Sequence, residues 1–415
     1  MLLERWRKII RTITVEEAGN TISANTPSPS VEVLNLENTS GRILAEDIIS
    51  DISMPPFDRS AMDGFALRGV CARYELMDEI AAGVSPPPIS REGVAAPIMT
   101  GAPVPAGADR VVMVEDTTVS NGVLTVNTMP GKGANICLEA EDVVAGQTVL
   151  YRGTLITPAE AGIAAMAGRE TLPVFRRPSV SVITTGSEVV APVHFPLPGQ
   201  VRNANGVLVS SLLTLAGFAP VKVFHSADDP ASLLNTAAQA LSVSDVLITA
   251  GGVSMGTHDH VPSVIEKLGF CFHFRSVAQK PGKPLSFATH PANGKMVFGL
   301  PGNPVSVLVC LEMYVLSCLR HYSGHARIAR KVLSGKSLDP LGKKAGRQFF
   351  FRTIAVCSEG GWSLENPASS GSGDLMSTRG ANSIAWLPSE STGAEEGVRI
   401  PFTLMSWAGG ESCWE

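Results

Sequence analysis

Short apolar runs that break off into glycine set the character of this chain. Val246-Leu-Ile248 is a run of the kind that a buried parallel strand shows. It opens into Thr-Ala-Gly251-Gly252-Val-Ser254-Met-Gly256-Thr-His-Asp259, three glycines and a hydroxyl ahead of a helix predicted over about 260–268. Glycines there let a backbone approach a ligand closely, and successive N–H groups beside a helix N-terminus can hold an anion. A tight turn with a helix cap explains the same residues without a ligand, so the company of the loop decides.

The texture repeats from residue 178 to 328. Ser179 to Thr185 reads as a strand running into Gly-Ser-Glu188, and 205–216 as a helix. Val221 to Phe224 reads as a strand running into His-Ser-Ala-Asp228, and Pro230 opens a helix at its favoured first position. Later strands lead into Lys280-Pro-Gly-Lys283-Pro284 and into Pro301-Gly302-Asn303, before an apolar helix from Pro304 to Leu319. This alternation predicts a doubly wound, mostly parallel α/β sheet with helices on both faces. Ligands of such sheets bind outside the carboxyl ends of the strands, and Glu188, Asp228, Gly251, Gly252, Asp259, Lys280, Lys283 and Asn303 all follow predicted strands. Three carboxylates (Glu188, Asp228 and Asp259) suit Mg²⁺, and two lysines in a proline-stiffened loop suit an oxyanion. His258 and His260 flank Asp259, but no third ligand stands at zinc spacing.

Residues 1 to about 45 read as helical, with Leu3, Trp6, Ile9, Ile10 and Ile13 at helical spacing, until a Pro/Ser patch at 25–30 breaks the pattern before Val31 to Leu36. From Ala45 to about Val144, short alternating runs separated by Gly and Pro predict a β domain. In it, Asn121-Gly122 between Val119-Ser and Val-Leu-Thr-Val126 predicts a hairpin with a type I′ turn. Asp63 and Thr100 each stand directly before a glycine, which suits a turn or a site, and Asp142 reads as a loop acid or a site residue. A helical pattern returns over 157–169, so the β domain is an insertion. The expected layout is 1–45 with 145–177 as a split helical/β domain, 46–144 as the inserted β domain, 178–328 as the α/β domain and 329–415 as a last β domain. That last domain includes 347–356 and 383–387 as strands and Ser369-Ser-Gly-Ser-Gly-Asp374 as a flexible surface loop.

Composition narrows the classes. A chain of 415 residues exceeds a single core. The net charge of −5, without a Lys/Arg run, argues against nucleic acid as a partner. Seven scattered cysteines with no Cys-x-x-Cys spacing argue for reduced thiols and against a zinc ribbon. The charged N-terminus shows no signal peptide, and the most apolar helix is interrupted by Glu312 and shorter than a membrane span. The expectation is a cytoplasmic protein with no membrane partner.

Six motifs then occur in order: Pro56-Phe-Asp-Arg-Ser-Ala-Met-Asp-Gly64, Met99-Thr-Gly-Ala-Pro-Val-Pro105, Thr184-Thr-Gly-Ser-Glu188, Gly251-Gly-Val-Ser-Met-Gly256, Lys280-Pro-Gly-Lys-Pro284 and Gly299-Leu-Pro-Gly-Asn-Pro-Val-Ser306. Together they resemble the molybdopterin molybdenumtransferase family of MoeA and the gephyrin E domain, over nearly the whole chain. The resemblance implies an α/β domain of the molybdopterin-binding type, a small β-barrel-like last domain and a homodimer. It also implies a Mg²⁺-dependent enzyme of molybdenum cofactor biosynthesis that takes adenylylated molybdopterin and molybdate, leaves molybdenum on the dithiolene and releases AMP. Molybdopterin adenylyltransferase and molybdoenzyme maturation factors would be its protein partners.

Position by position, the resemblance assigns Asp63, Thr100, Asp142, Glu188, Asp228 and Asp259 to the active-site cleft, part of it supplied by the second subunit. It gives Mg²⁺ to Asp228 and Asp259 with Glu188 beside them. Substrate contacts fall to Gly251, Gly252, Ser254, Gly256, Pro301, Gly302 and Asn303, and molybdate to Lys280, Lys283, Pro284, Ser306, Arg352 and Ser372. Three positions depart from the family pattern: Ser276 where many relatives have lysine, and Ser187 and Asn203 where aspartate is common. The alternatives are a molybdopterin-binding scaffold or carrier without transferase activity, a tungstate-preferring homologue, and the related adenylyltransferase. The last needs neither the inserted nor the final domain.

Overall fold

The computed structural model describes residues 12–80, 83–252 and 260–414. The chain forms two compact units, Val33–Val174 and the remainder, Met1–Glu32 with Phe175–Glu415.

In the unit Val33–Val174, a six-stranded sheet carries Arg110–Met113, Gly64–Leu67, Val94–Ile98, Tyr74–Leu76, Val123–Val126 and Thr117–Ser120 in that order. Side chains alternate across it. Ala66, Ile98 and Val111 pack on one face, and Leu67, Tyr74, Val112 and Leu124 on the other. Asn121 and Gly122 have φ of 48° and 75°, and Ser120 faces Val123 in the ladder, the hairpin that the sequence predicts. Gly64 is required by packing, since a Cβ there would lie 1.9 Å from the Val112 carbonyl oxygen. A second cluster, Leu44, Ile48, Leu150, Ile156, Leu172 and Val174, joins the chain before the sheet to the chain after it. It also covers the helix Pro158–Met166, which a Thr157/Glu160 capping box starts. Of the residues read as helical over 1–45, residues 1–11, with Leu3, Trp6, Ile9 and Ile10, lie outside the described residues, Ile13 bridges Val277 in parallel, and the helical reading fails again after Ala24. The helix Val15–Ala24 stops there, and Val31–Asn35 is a strand, as its two valines and the prolines before it favour.

The other unit is built on strands β1 (Val180–Thr185), β2 (Val221–Ser226), β3 (Val246–Ala250), β4 (Cys271–Phe274), β5 (Ser286–Thr289) and β6 (Met296–Leu300). Their order across the sheet is β2-β1-β3-β6-β5-β4. The first four run parallel, and β5 runs antiparallel to both of its neighbours, β6, to which a short turn links it, and β4. Helices α1 (Ala204–Leu215) and α4 (Pro304–Tyr322) cover one face through Val209, Leu213, Leu308 and Leu311. Helices α2 (Pro230–Ser242) and α3 (Val261–Lys267) cover the other through Leu233, Ala237, Val264 and Ile265. Burial on both faces is why these strands read as unbroken apolar runs.

Helix α4 runs three residues beyond its predicted end and, at 19 residues, is long and apolar enough to cross a membrane by length and composition, which corrects the shorter sequence estimate. In this fold 83% of its most apolar 18-residue window is buried, as the core helix of the domain. Its one acid, Glu312, sits in a π-helical turn, Leu311–Val315, and is 1% exposed. It is paired with Arg330 and accepts from the N–H and hydroxyl of Ser406 at 3.2 and 3.0 Å. A buried charge is tolerated only with such partners.

After α4, strands β7 (Leu333–Ser337), β8 (Gln348–Ser358), β9 (Gly361–Glu365), β10 (Ser383–Leu387) and β11 (Arg399–Leu404) close on themselves in the ring β8-β9-β7-β11-β10-β8. Phe351, Leu364, Ala385 and Phe402 fill it. The short strand Gln279–Lys280 pairs in parallel with the start of β8, which carries Lys280 from the α/β domain onto the barrel.

Candidate functional site

Where β1, β2, β3 and β6 end, the chain turns into four loops that line one cavity of about 730 Å³. Gly186 and Glu188 come from the first loop, Asp228 from the second, Gly251 and Gly252 from the third, and Pro301, Gly302 and Asn303 from the fourth. The parallel topology gathers these residues, which lie up to 117 positions apart between Gly186 and Asn303. Gly251 and Gly252 have φ of +105° and +65°. A Cβ on them would meet Thr185 Oγ1 at 2.7 Å and Val261 Cγ2 at 2.8 Å. Here the glycines serve both a left-handed backbone and a close packing of loop against strand. Ser254, Gly256 and Asp259 lie outside the described residues, as do the remainder of that loop and His258.

The departures from the family pattern have plain local roles. The Ser187 N–H donates to Asp228 Oδ2 at 3.3 Å, and Asp228 N–H returns to Ser187 Oγ at 3.4 Å, which ties the first two loops together. Asn203 caps α1, accepting from the Gly206 N–H at 2.9 Å, while its amide donates to Thr184 Oγ1 at 2.8 Å. Ser276 is 5% exposed and bonded to Thr12 Oγ1 at 3.1 Å. Among the described residues, neither Glu188 nor Asp228 is in an ion pair, and no group of three His, Cys, Asp or Glu side chains converges as a metal cluster.

Beside this cleft lies a second cavity of about 320 Å³, lined by Lys280, Phe349, Arg352 and the loop Ser369–Ser372. Lys280 Nζ stands 5.1 Å from the centre of the Phe349 ring. Arg352 is 8% exposed. Its Nη2 donates to the hydroxyls of Ser369 and Ser377, the latter at 2.6 Å, and its buried Nε has no partner. Burial pushes the pKa of this guanidinium down, and the nearby Asp374 carboxylate works against that. A buried cation with an unused donor, ringed by hydroxyls, is an anion site by its chemistry.

Of the residues expected around an oxyanion, Lys280, Arg352 and Ser372 line this pocket, and Pro284 lines the larger cleft. Lys283 is exposed at its side chain, and its carbonyl accepts from the Val277 N–H at 2.9 Å. Ser306 is 3% exposed, within the first turn of α4. Asp63, Thr100 and Asp142 belong to the other unit. There the N–H and hydroxyl of Thr100 donate to Asp63 Oδ1 at 2.7 and 2.8 Å, and they hold its carboxyl below the usual range in that order of effect. Asp142 is an exposed loop residue whose N–H donates to the Met54 carbonyl at 3.0 Å.

Sequence reasoning missed Asn205, whose Nδ2 donates to the Gly302 carbonyl at 2.7 Å and whose buried Oδ1 has no partner among the described residues. Its place two residues after the Asn203 cap gave no signal of its own. The loop 369–374 was expected to be a flexible surface loop. Instead Asp374 accepts from the N–H groups of Ser370 and Ser377 at 3.0 and 3.2 Å and folds it against Arg352. An aspartate closing a Ser/Gly run was the available sign.

Comparisons with known proteins agree with this arrangement. A family model described as the MoeA N-terminal region (domain I and II) matches residues 13–168, and one described as a probable molybdopterin binding domain matches residues 181–321. A molybdopterin molybdenumtransferase of Staphylococcus aureus (strain Mu50) is 30% identical over 401 residues, 94% of this chain and 95% of that protein. One of Nostoc sp. (strain PCC 7120) is 33% identical over 382 residues, 89% of this chain and 87% of that protein. The crystal structure of a molybdopterin biosynthesis MoeA protein from Pyrococcus horikoshii is similar with a TM-score of 0.76 and 28% identity, covering 95% of this chain and 99% of that one. With the α/β rim, the closed barrel and relatives matched along most of its length, this chain belongs to the MoeA family of molybdopterin molybdenumtransferases, the transferases of molybdenum cofactor biosynthesis.

Proposed function

We propose that the protein transfers molybdenum from molybdate to adenylylated molybdopterin, with Mg²⁺-dependent release of AMP. The observation that carries this reading is the adjacency of two unlike cavities: a wide cleft with two carboxylates that are in no ion pair among the described residues, and a small pocket with a buried, under-bonded arginine. A tetrahedral oxyanion suits the second, where Arg352, Lys280 and the serines of the loop 369–372 supply donors. The first suits a nucleotide and a pterin, with the backbone of Gly251 and Gly252 on its wall, where N–H groups can meet a phosphate.

Glu188 and Asp228 fit Mg²⁺ by donor type, as hard oxygens in no ion pair among the described residues, and a cation with only a few protein ligands is usual when a substrate phosphate completes the set. Asp259 is the further ligand that the family pattern suggests. The cation when bound neutralises charge that develops on the scissile phosphate. The chain itself holds the oxyanion by Arg352 and Lys280, keeps Asp228 in place through Ser187, and orients the leaving AMP along the glycine loop. No side-chain nucleophile is required.

The test is AMP release from adenylylated molybdopterin by purified protein with Mg²⁺ and either molybdate or tungstate, beside Asp228→Asn and Lys280→Ala. Molybdate-dependent release that falls in both variants supports the transferase reading. Preferential release with tungstate would assign the other anion, and tight binding without release would leave a scaffold or carrier.

A further inference from the structure

The loop 369–374 belongs to the barrel, yet it is bonded to the α/β domain where the two cavities meet. Asn303 Nδ2 donates to Ser372 Oγ at 2.8 Å, and the Val305 N–H donates to the Ser372 carbonyl at 3.2 Å. Ser372 lines the cationic pocket. The next residue, Gly373, lines the cleft, and a Cβ on it would lie 4.0 Å from Asn303 Oδ1. Residues at the head of a helix ordinarily turn their side chains onto its own first N–H groups. Asn303 makes no such bond to α4, and its amide is directed to the barrel instead. From the other side, Asn205 holds the Gly302 carbonyl at 2.7 Å. One hydrogen-bonded path therefore runs from the first turn of α1, through 302–303, to the wall of the oxyanion pocket.

We propose that Asn303 is a positioning residue that couples the two cavities. The loop 369–374 has one placement in which Ser372 faces the oxyanion and Gly373 closes the cleft edge, and Asn303 favours that placement. A ligand in either cavity favours it too, so each ligand tightens the other, and linkage requires the effect to be reciprocal. The consequence is that the oxyanion is held firmly only when the nucleotide-bearing acceptor is present. This inference rests on the assignment of the cavities proposed above.

Calorimetric titration of the full chain with molybdate, without and with saturating AMP, reads the coupling as the ratio of the two Kd values. In the parent the ratio should be about fivefold or more, and titrating AMP without and with molybdate should return the same ratio. Asn303→Ala should bring it to about one whatever the absolute affinities. Asn303→Asp should restore it, because the Ser372 hydroxyl can donate to a carboxylate, even though the added charge weakens molybdate binding itself. Ser372→Ala removes the same bond from the barrel side and should also abolish the coupling. A purely structural Asn303 would change affinities or Tm and leave the ratio alone. A parent ratio of one, or a ratio kept in Asn303→Ala, overturns the coupling and leaves the cavity assignments standing. Absence of molybdate binding to the parent overturns both.

Discussion

Replacing Arg352 with alanine tests the oxyanion pocket most directly. Arg352 is 8% exposed, and its buried Nε has no partner among the described residues. Because the residue lines the pocket, an arriving oxyanion gains a charge-assisted hydrogen bond from its guanidinium. Such a bond contributes about 1.5–3 kcal/mol. At roughly 1.4 kcal/mol per tenfold, its removal should weaken molybdate binding by about 10- to 150-fold. The stability cost should be small. Ser369 and Ser377, which accept from Nη2, are also bonded to each other at 3.3 Å, so neither hydroxyl is orphaned. Arg352→Lys keeps the charge but loses the planar fork, and its loss should fall between parent and alanine. Calorimetric titration with molybdate at fixed ionic strength, beside a thermal melt, gives both quantities. A folded Arg352→Ala protein whose molybdate Kd stays within about twofold of the parent would refute the assignment of this cavity, given the magnitude expected of a charged bond.

Two further predictions concern the cleft and the pH response. Gly251→Ala should strain the loop, since φ is +105° and the new Cβ would lie 2.7 Å from Thr185 Oγ1 and 3.1 Å from the Thr185 carbonyl oxygen, part of a paired strand that cannot easily yield. If about 1–3 kcal/mol of backbone strain is relieved at the expense of the bound form, AMP affinity should drop about 5- to 150-fold, and an unchanged Kd would show that the loop does not shape the nucleotide site. His325 is held down to about 4 by burial first and by the charge of Arg320 next, against an ordinary value of 6.5. It stays neutral in the folded chain over a range where the unfolded chain binds a proton. Its contribution to stability is therefore present in full above pH 6.5 and is lost as the pH falls toward 4. An imidazole NMR titration of the native protein should find its midpoint near 4, and one near 6.5 would contradict this.

The sequence was legible where a local rule and the tertiary context agree. Strands β1, β3 and β6 announce themselves because both faces are buried, so every position is apolar or small. The 119–126 hairpin is fixed by two residues that accept positive φ. The helical reading carried past Ala24 to about residue 45 shows the opposite case, where the Pro/Ser patch at 25–30 and the β-branched residues after it had already changed the backbone. Order in the loop 369–374 depends on Asp374 and on a buried arginine 22 positions earlier in the chain, between 352 and 374, which no window of local sequence contains.

By itself, then, the chain determined its alternation of strand and helix, the rim on which Glu188, Asp228 and the glycine loop must fall, and, through six ordered motifs, its family. Those are properties of residue type and spacing. What only the tertiary structure decided is which residues share a cavity: Pro284 turns to the cleft, whereas Lys280 goes to the barrel pocket because the short strand Gln279–Lys280 pairs with β8. It also decided that Asn303, read as a ligand contact, is bonded to Ser372 across the two domains. Such pairings come from long-range packing, in which hydrogen bonds and burial between distant segments, rather than any local preference, choose the partner.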